Sequence, residues 1–337
     1  MNDCRSSCHN TQRASVKTFL SLSIPTLSLL TALVWAQQPA GKPLSWAYPV
    51  PDPNPAARAA DGPRTLSGST KTYTQAEIDD AFKPPDWFPG EHPPLPRLVE
   101  SGVQAQACGS CHLMSGLGHP ESANLAGLSV PYMLRQMEDF KKGLRKDAEA
   151  YAQSARAGRM NIIAAGVPDE EMRKAVEWFS ALQPAPWYKV MEASTVPKTW
   201  VNGGRMRLPL PGGGTEPLGD RIVTLPQNPA RVELRDPHSG FIAWVPQGSI
   251  AKGKELVTSG GAGKTIPCDT CHGEGLKGLG DVPRLAGIHP IYVVRQLYDI
   301  QVGANRSSAA AQMKRVVEKL SEDDMISIAA YTASLAP

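Results

Sequence analysis

Two stretches of the chain repeat one order of apolar and polar positions. "LAGLSVPYMLRQMEDF" (125–140) and "LAGIHPIYVVRQLYDI" (285–300) align at an offset of 160 residues, with Leu, Ala, Gly, Tyr, Arg, Gln and Asp identical. Met133, Met137 and Phe140 in the first, and Val293, Leu297 and Ile300 in the second, fall at i, i+4, i+7. That spacing puts each trio on one face of a helix. Further along, "PDEEMRKAVEWFSALQP" (168–184) matches "SEDDMISIAAYTASLAP" (321–337) at an offset of 153. Acidic residues directly after Pro168 and Ser321 suit the positive end of a helix. Met172, Ala175, Val176, Phe179 and Leu182 then form an apolar stripe, echoed by Met325, Ile328, Ala329 and Leu335. The difference between the two offsets falls around "KDAEAYAQSARAG" (146–158). A leading helix is predicted over "LPRLVESGVQAQ" (95–106) and again over "GSIAKGKELVTS" (248–259), with Ser249 as its N-cap. Each unit, 96–184 and 248–337, therefore reads helix, loop, helix, loop, helix. The pattern predicts a mainly α chain built twice.

The sequence between and before the units is of another kind. Residues 37–96 hold 13 prolines, which predicts an extended arm over 37–95 that wraps a surface. Residues 185–247 are also proline-rich and carry Gly212-Gly213-Gly214. Short β-branched stretches there ("RIVTL", "RVELRD", "FIAWV") predict a small strand ribbon in a connector. The glycine run lacks the lysine and following helix of a phosphate loop, so it reads as a turn. Trp187, Tyr188, Trp200, Phe241 and Trp244 suit a partner contact surface or, equally, cover for a cofactor edge or packing of the ribbon onto its domains.

Residues 1–36 read as an export leader. Arg5, Arg13 and Lys17 precede an apolar run from Phe19 to Trp35, and Val34-Trp35-Ala36 resembles a small-residue cleavage site. A retained membrane anchor is the alternative; the run, interrupted by Pro25, is short for a span. A start at Val16 would give a compact leader. "CRSSCH" (Cys4 to His9) has three residues between its cysteines and precedes the apolar run, so it reads as chance.

Charge excludes one class: 35 basic residues against 32 acidic ones, with no basic patch, do not mark a nucleic-acid binder. The cysteines point elsewhere. Cys108-Gly109-Ser110-Cys111-His112 recurs as Cys268-Asp269-Thr270-Cys271-His272, again 160 residues on. Two thiols with two residues between them can add to both vinyl groups of one haem, and the adjacent histidine then lies under the iron. Zinc is the rival, but no further cysteine follows the leader to complete a site in either half. A disulfide in each half would leave the paired histidines unexplained. The motifs predict two covalent haem c groups.

A second axial ligand should recur in both halves. No other histidine does, since His119 aligns with Leu279 and His289 with Ser129. Met114 lies too close to His112 to reach the opposite haem face. Met160/Met313 and Met172/Met325 do recur. The latter pair sits on the apolar stripe, so Met160 and Met313, expected in the loop before the closing helix, are the predicted ligands.

These motifs resemble the class I cytochromes c, in particular the two-domain dihaem type often called the c-four group. The resemblance covers both haem units. It implies an all-helical fold around each haem, axial pairs His112/Met160 and His272/Met313, and periplasmic transfer of single electrons between respiratory redox proteins. Membrane contact would come only through a partner or an uncleaved leader. A peroxidase-like or small-substrate-oxidising dihaem enzyme with one open iron is the alternative. The family usually has a proline after the haem histidine whose carbonyl orients the ring. Pro283 fits in the second half, but the first half has Ala123 there, which leaves the hold on His112 in question.

Overall fold

The structure is a computed structural model that describes residues 44–53, 62–149 and 157–337. The expected leader over 1–36, with its Cys4–His9 near-match, lies outside these residues.

Both repeated helices form where the periodicity places them, as Val130–Lys141 and Pro290–Gln301. Each starts on a side-chain cap: the Ser129 hydroxyl accepts from the Tyr132 N–H, and the His289 ring accepts from the Tyr292 N–H. A proline in the first turn follows each cap, where a missing N–H costs nothing. The closing helices are Asp169–Ala181 and Glu322–Ser334, with three acidic residues in each first turn. Their stripes face inward: Met172, Val176 and Phe179 are buried in one core, Met325, Ile326 and Ala330 in the other.

The leading helices differ from expectation. In the first unit only Arg97–Glu100 is helical, because Gly102 (φ 70) and Gln104 (φ 55) turn the chain left-handed just beyond it. In the second unit the helix runs Ser249–Ser259, and Ser249 is its first helical residue rather than its cap. Gly248, at φ 80, occupies the cap position without a side chain to offer. This helix crosses the closing helix at Gly253, where a Cβ would lie 1.9 Å from the Ser327 carbonyl oxygen. Only glycine permits that crossing.

The connector folds as a ribbon in part. Tyr188–Glu192 pairs parallel with Phe241–Val245, which pairs antiparallel with Val223–Pro226. The expected strand "RVELRD" is instead a short helix, Pro229–Glu233 and the turn after it. Asn228 caps it and Pro229 starts it, a local signal that outweighs two β-branched residues. The glycine run is a turn, with φ of 94, 72 and 94 at Gly212, Gly213 and Gly214. One face of Phe241–Val245 ties both cores together: Phe241 lies in the first, Ala243 and Val245 in the second. In the arm, Leu44 and Tyr48 pack into the second core and Leu95 against the first, while Leu66, Ile78 and Trp87 form a small cluster of their own.

The second unit also holds a charged cap. Asp324 is buried and closes a capping box with Ser321, while Lys252 and Lys264 reach its two oxygens at 2.7 and 2.9 Å. Burial alone would raise its pKa, but the hydrogen bonds from Lys252, Lys264 and Ser321 outweigh it and hold the carboxyl well below its usual range. A carboxylate whose folded pKa is depressed stabilises the fold above its unfolded value, about 4, and loses that contribution as pH falls. Asp324→Asn should therefore cost about 2 kcal/mol at neutral pH. The loss should shrink in melts below about pH 4. An equal loss at pH 7 and pH 3 would refute the charge assignment.

Candidate haem sites

Each C-x-x-C-H segment forms one helical turn, Gly109–His112 and Asp269–His272, closed by the His112 and His272 amides on the Cys108 and Cys268 carbonyls at 2.9 Å each. The chain then reverses at equivalent positions, Leu113 (φ 61) and Gly273 (φ 76). The Gly118 and Gly278 amides return to the His112 and His272 carbonyls at 3.0 and 2.8 Å.

That reversal brings a carbonyl onto each imidazole. His112 Nδ1 lies 2.8 Å from the Ala123 oxygen, and His272 Nδ1 lies 2.7 Å from the Pro283 oxygen. A carbonyl only accepts, so Nδ1 carries the proton and Nε2 keeps its lone pair. Burial pushes both rings below the usual histidine range, partly offset by these bonds, and so favours the neutral form a metal needs. The missing proline in the first half is thus immaterial: the acceptor is a backbone atom, and Ala123 supplies it as Pro283 does.

Cys108, Cys111, His112 and Met160 line a cavity of about 2260 Å³, and so do Cys268, Cys271, His272 and Met313. Pockets for one ligand run to about 1,000 Å³, so this space suits two large groups rather than one. Its walls are mainly apolar, as a macrocycle requires. Met160 and Met313 stand on helices, Ala157–Gly166 and Ser308–Val317, not in the loop expected from sequence. Both segments are rich in alanine, and Ser307 caps the second by accepting from the Ala310 N–H. Met325 is buried in the core and is not part of the cavity wall, whereas Met172 does line it. Met114 lies away from the cavity, packed on Gly109.

The alternatives fare poorly. Burial pushes the Cys108 and Cys268 thiols up to about 12, with the neighbouring Cys111 and Asp269 charges adding to it; that disfavours the thiolate zinc needs. Among the described residues no group of three or more His, Cys, Asp or Glu could hold a metal ion.

Three features stand out, of which the first and third had no sequence signal. The first is a two-fold-like interface between the halves, in which residues 160 apart touch each other. Arg284 donates to Asn124 Oδ1 at 3.2 Å, and Arg145 and Asn305 form a backbone bridge. The Arg145 guanidinium is held at the same seam by Gln136 (2.8 Å) and its counterpart Gln296 (2.7 Å). Such self-matching contacts are those of an isologous dimer, here within one chain.

The second is the connector's place in the first site. Trp200, Arg205, Met206 and Leu208 line the cavity, and Trp187 is buried with its indole N–H on the Gly118 carbonyl at 3.0 Å. These aromatics pack the haem site rather than offer a free contact surface. The third is an asymmetry. Gly109 and Ser110 are buried, with Arg235 of the connector bonded to the Ser110 carbonyl, whereas Asp269, Thr270 and Cys271 are exposed.

No family model matches the chain. Over 235 residues it is 36% identical to the thiosulfate dehydrogenase electron acceptor of Stutzerimonas stutzeri (strain A1501), covering 68% of this chain and 80% of that one. Over 237 residues it is 24% identical to cytochrome c4 of Azotobacter vinelandii, covering 69% of this chain and 86% of that one. The solved cytochrome c4 of Acidithiobacillus ferrooxidans has a TM-score of 0.43 at 19% identity, over 68% of this chain and 98% of that one. From the two sequence relatives, and from two helical units that each present C-x-x-C-H to a shared cavity, the chain belongs to the two-domain dihaem cytochromes c of the cytochrome c4 type, electron carriers with two covalently bound haem c groups.

Proposed function

We propose that Cys108 and Cys111 hold the first haem and Cys268 and Cys271 the second, with His112/Met160 and His272/Met313 as axial pairs. The observation that carries this reading is the pair of imidazoles fixed by carbonyls, each with its recurring methionine in the wall of one cavity. Bound haem supplies a one-electron couple; histidine with methionine fills both axial positions, and methionine raises the potential. The Ala123 and Pro283 carbonyls keep each ring in one orientation and one tautomer. The apolar walls exclude water.

The donor in this reading is a substrate-oxidising dehydrogenase, of which thiosulfate dehydrogenase is the first to test, since a relative at 36% identity is named as its acceptor. Electrons enter or leave by the second site, whose attachment turn is open and flanked by exposed Ile266 and Leu279. Export by residues 1–36 places the chain in the periplasm; among the described residues no helix is long and apolar enough to cross a membrane. A dihaem oxidoreductase, the rival, needs an iron that binds an outside ligand.

Stopped-flow mixing with purified thiosulfate dehydrogenase and thiosulfate tests the donor. Both haems should be reduced, and Leu279→Glu should slow the reduction without altering either spectrum. A protein that dithionite reduces fully but the dehydrogenase does not would exclude this donor. An unchanged rate in Leu279→Glu would exclude the second site as the port.

A further inference from the structure

We infer that Arg205, on the connector, binds a carboxylate of the first haem and so sets that haem's potential apart from the second. The hairpin between Thr199–Val201 and Arg207–Pro209 turns through Asn202-Gly203-Gly204-Arg205 and brings this residue into the wall of the cavity. Its Nη1 is buried and has no hydrogen-bond partner. A buried guanidinium N–H left unpaired is costly. Three arginines of the wall near the seam are instead satisfied by hydrogen bonds. Arg145 donates to Gln136 and Gln296, Arg284 to Asn124 and the Ala126 carbonyl, and Arg295 to the Ala47 and Pro120 carbonyls.

The backbone adds to the argument. Arg205 adopts φ 67, a conformation that costs a non-glycine residue about 1 kcal/mol or more. Two glycines precede it, yet the strained position carries the arginine. The turn is fixed around it: the Arg205 amide donates to the Asn202 carbonyl at 2.9 Å, and the Met206 amide to Asn202 Oδ1 at 3.0 Å. Neighbouring Trp200, Met206 and Leu208 all pack with the first core, which fixes the haem that Arg205 addresses.

A haem offers such a group only one kind of acceptor. Its macrocycle and vinyl edge are apolar, and its anionic atoms are those of its two propionate carboxylates. A guanidinium–carboxylate bond satisfies Nη1 and neutralises a buried negative charge. The connector has no repeat counterpart, so the repeat supplies the second haem with no equivalent of Arg205. A cation beside the first haem disfavours its ferric state, and its removal should lower that potential alone.

The inference rests on the first haem lying beside Cys108–His112, and the test reports on the two separately. Arg205→Gln and Arg205→Lys are titrated spectroelectrochemically and fitted to two one-electron couples, with the Met313→Ala background marking the second haem. Arg205→Gln should shift the reduction equilibrium of the first haem by about tenfold, or about 59 mV for one electron, and leave the second unchanged. Arg205→Lys should retain most of the original potential. The propionate bending band of one haem should move in resonance Raman spectra of Arg205→Gln. Two haems per chain with intact methionine–iron bands, but unchanged potentials and an unchanged propionate band, would overturn the Arg205 inference alone. Equal shifts of both haems would overturn it too. Loss of the first haem's methionine–iron band would instead indict the placement of that haem.

Discussion

Replacing Met160 with alanine should open one iron to carbon monoxide and leave the other as it was. The reason is the repeat: each methionine stands on its own helix, Ala157–Gly166 or Ser308–Val317, and packs against a different core. Met160→Ala and Met313→Ala should each abolish the methionine-to-iron charge-transfer band of one haem, lower its potential, and give it affinity for carbon monoxide or cyanide. Met172→Leu is the discriminating control, because Met172 also lines the first site. As a volume-conserving swap it should cost less than about 1.5 kcal/mol and leave both bands in place. Loss of a band in Met172→Leu, with Met160→Ala spectrally silent, would reverse the assignment.

Arg145 should behave in the opposite way, acting on both haems at once. It is a buried cation on the two-fold-like seam, bonded to one glutamine from each half and stacked 4.3 Å over the Phe140 ring. None of these partners neutralises its charge. Arg145→Ala leaves two half-buried carboxamide oxygens without a donor, a loss of about 1–2 kcal/mol in a thermal melt. It also removes a positive charge from between the two sites, which favours the ferric state of each. Both potentials should fall. A fall at one haem only would mean that the seam is not shared, and unchanged potentials would remove Arg145 from the electrostatics of the site.

What the sequence made legible follows from the range of the signal. Helix periodicity and the cysteine spacing are local, so the repeated helices, the closing helices and both attachment turns fall where the pattern puts them. Side-chain identity failed where backbone atoms do the work. Ala123 looked like a missing proline, yet the group that matters is its carbonyl. Local signals override the pattern at Asn228-Pro229, where a cap makes a helix of an expected strand, and at Gly102, where a left-handed turn cuts a helix short. The seam was illegible for a different reason. Asn124 and Arg284, or Arg145 and Asn305, are equivalent by position but unlike in type, so nothing in the alignment marks them as contacts. Arg205 is harder still, since its meaning lies in a partner that only a cavity reveals.

The most direct test of the whole account is a carbon monoxide difference spectrum of the dithionite-reduced holoprotein at neutral pH. An electron carrier with His112/Met160 and His272/Met313 on its two irons should show no Soret shift at either haem, at a haem content of two per chain. A carbon monoxide adduct at one iron of the unaltered protein would contradict it, and would make the chain a dihaem enzyme with an open site.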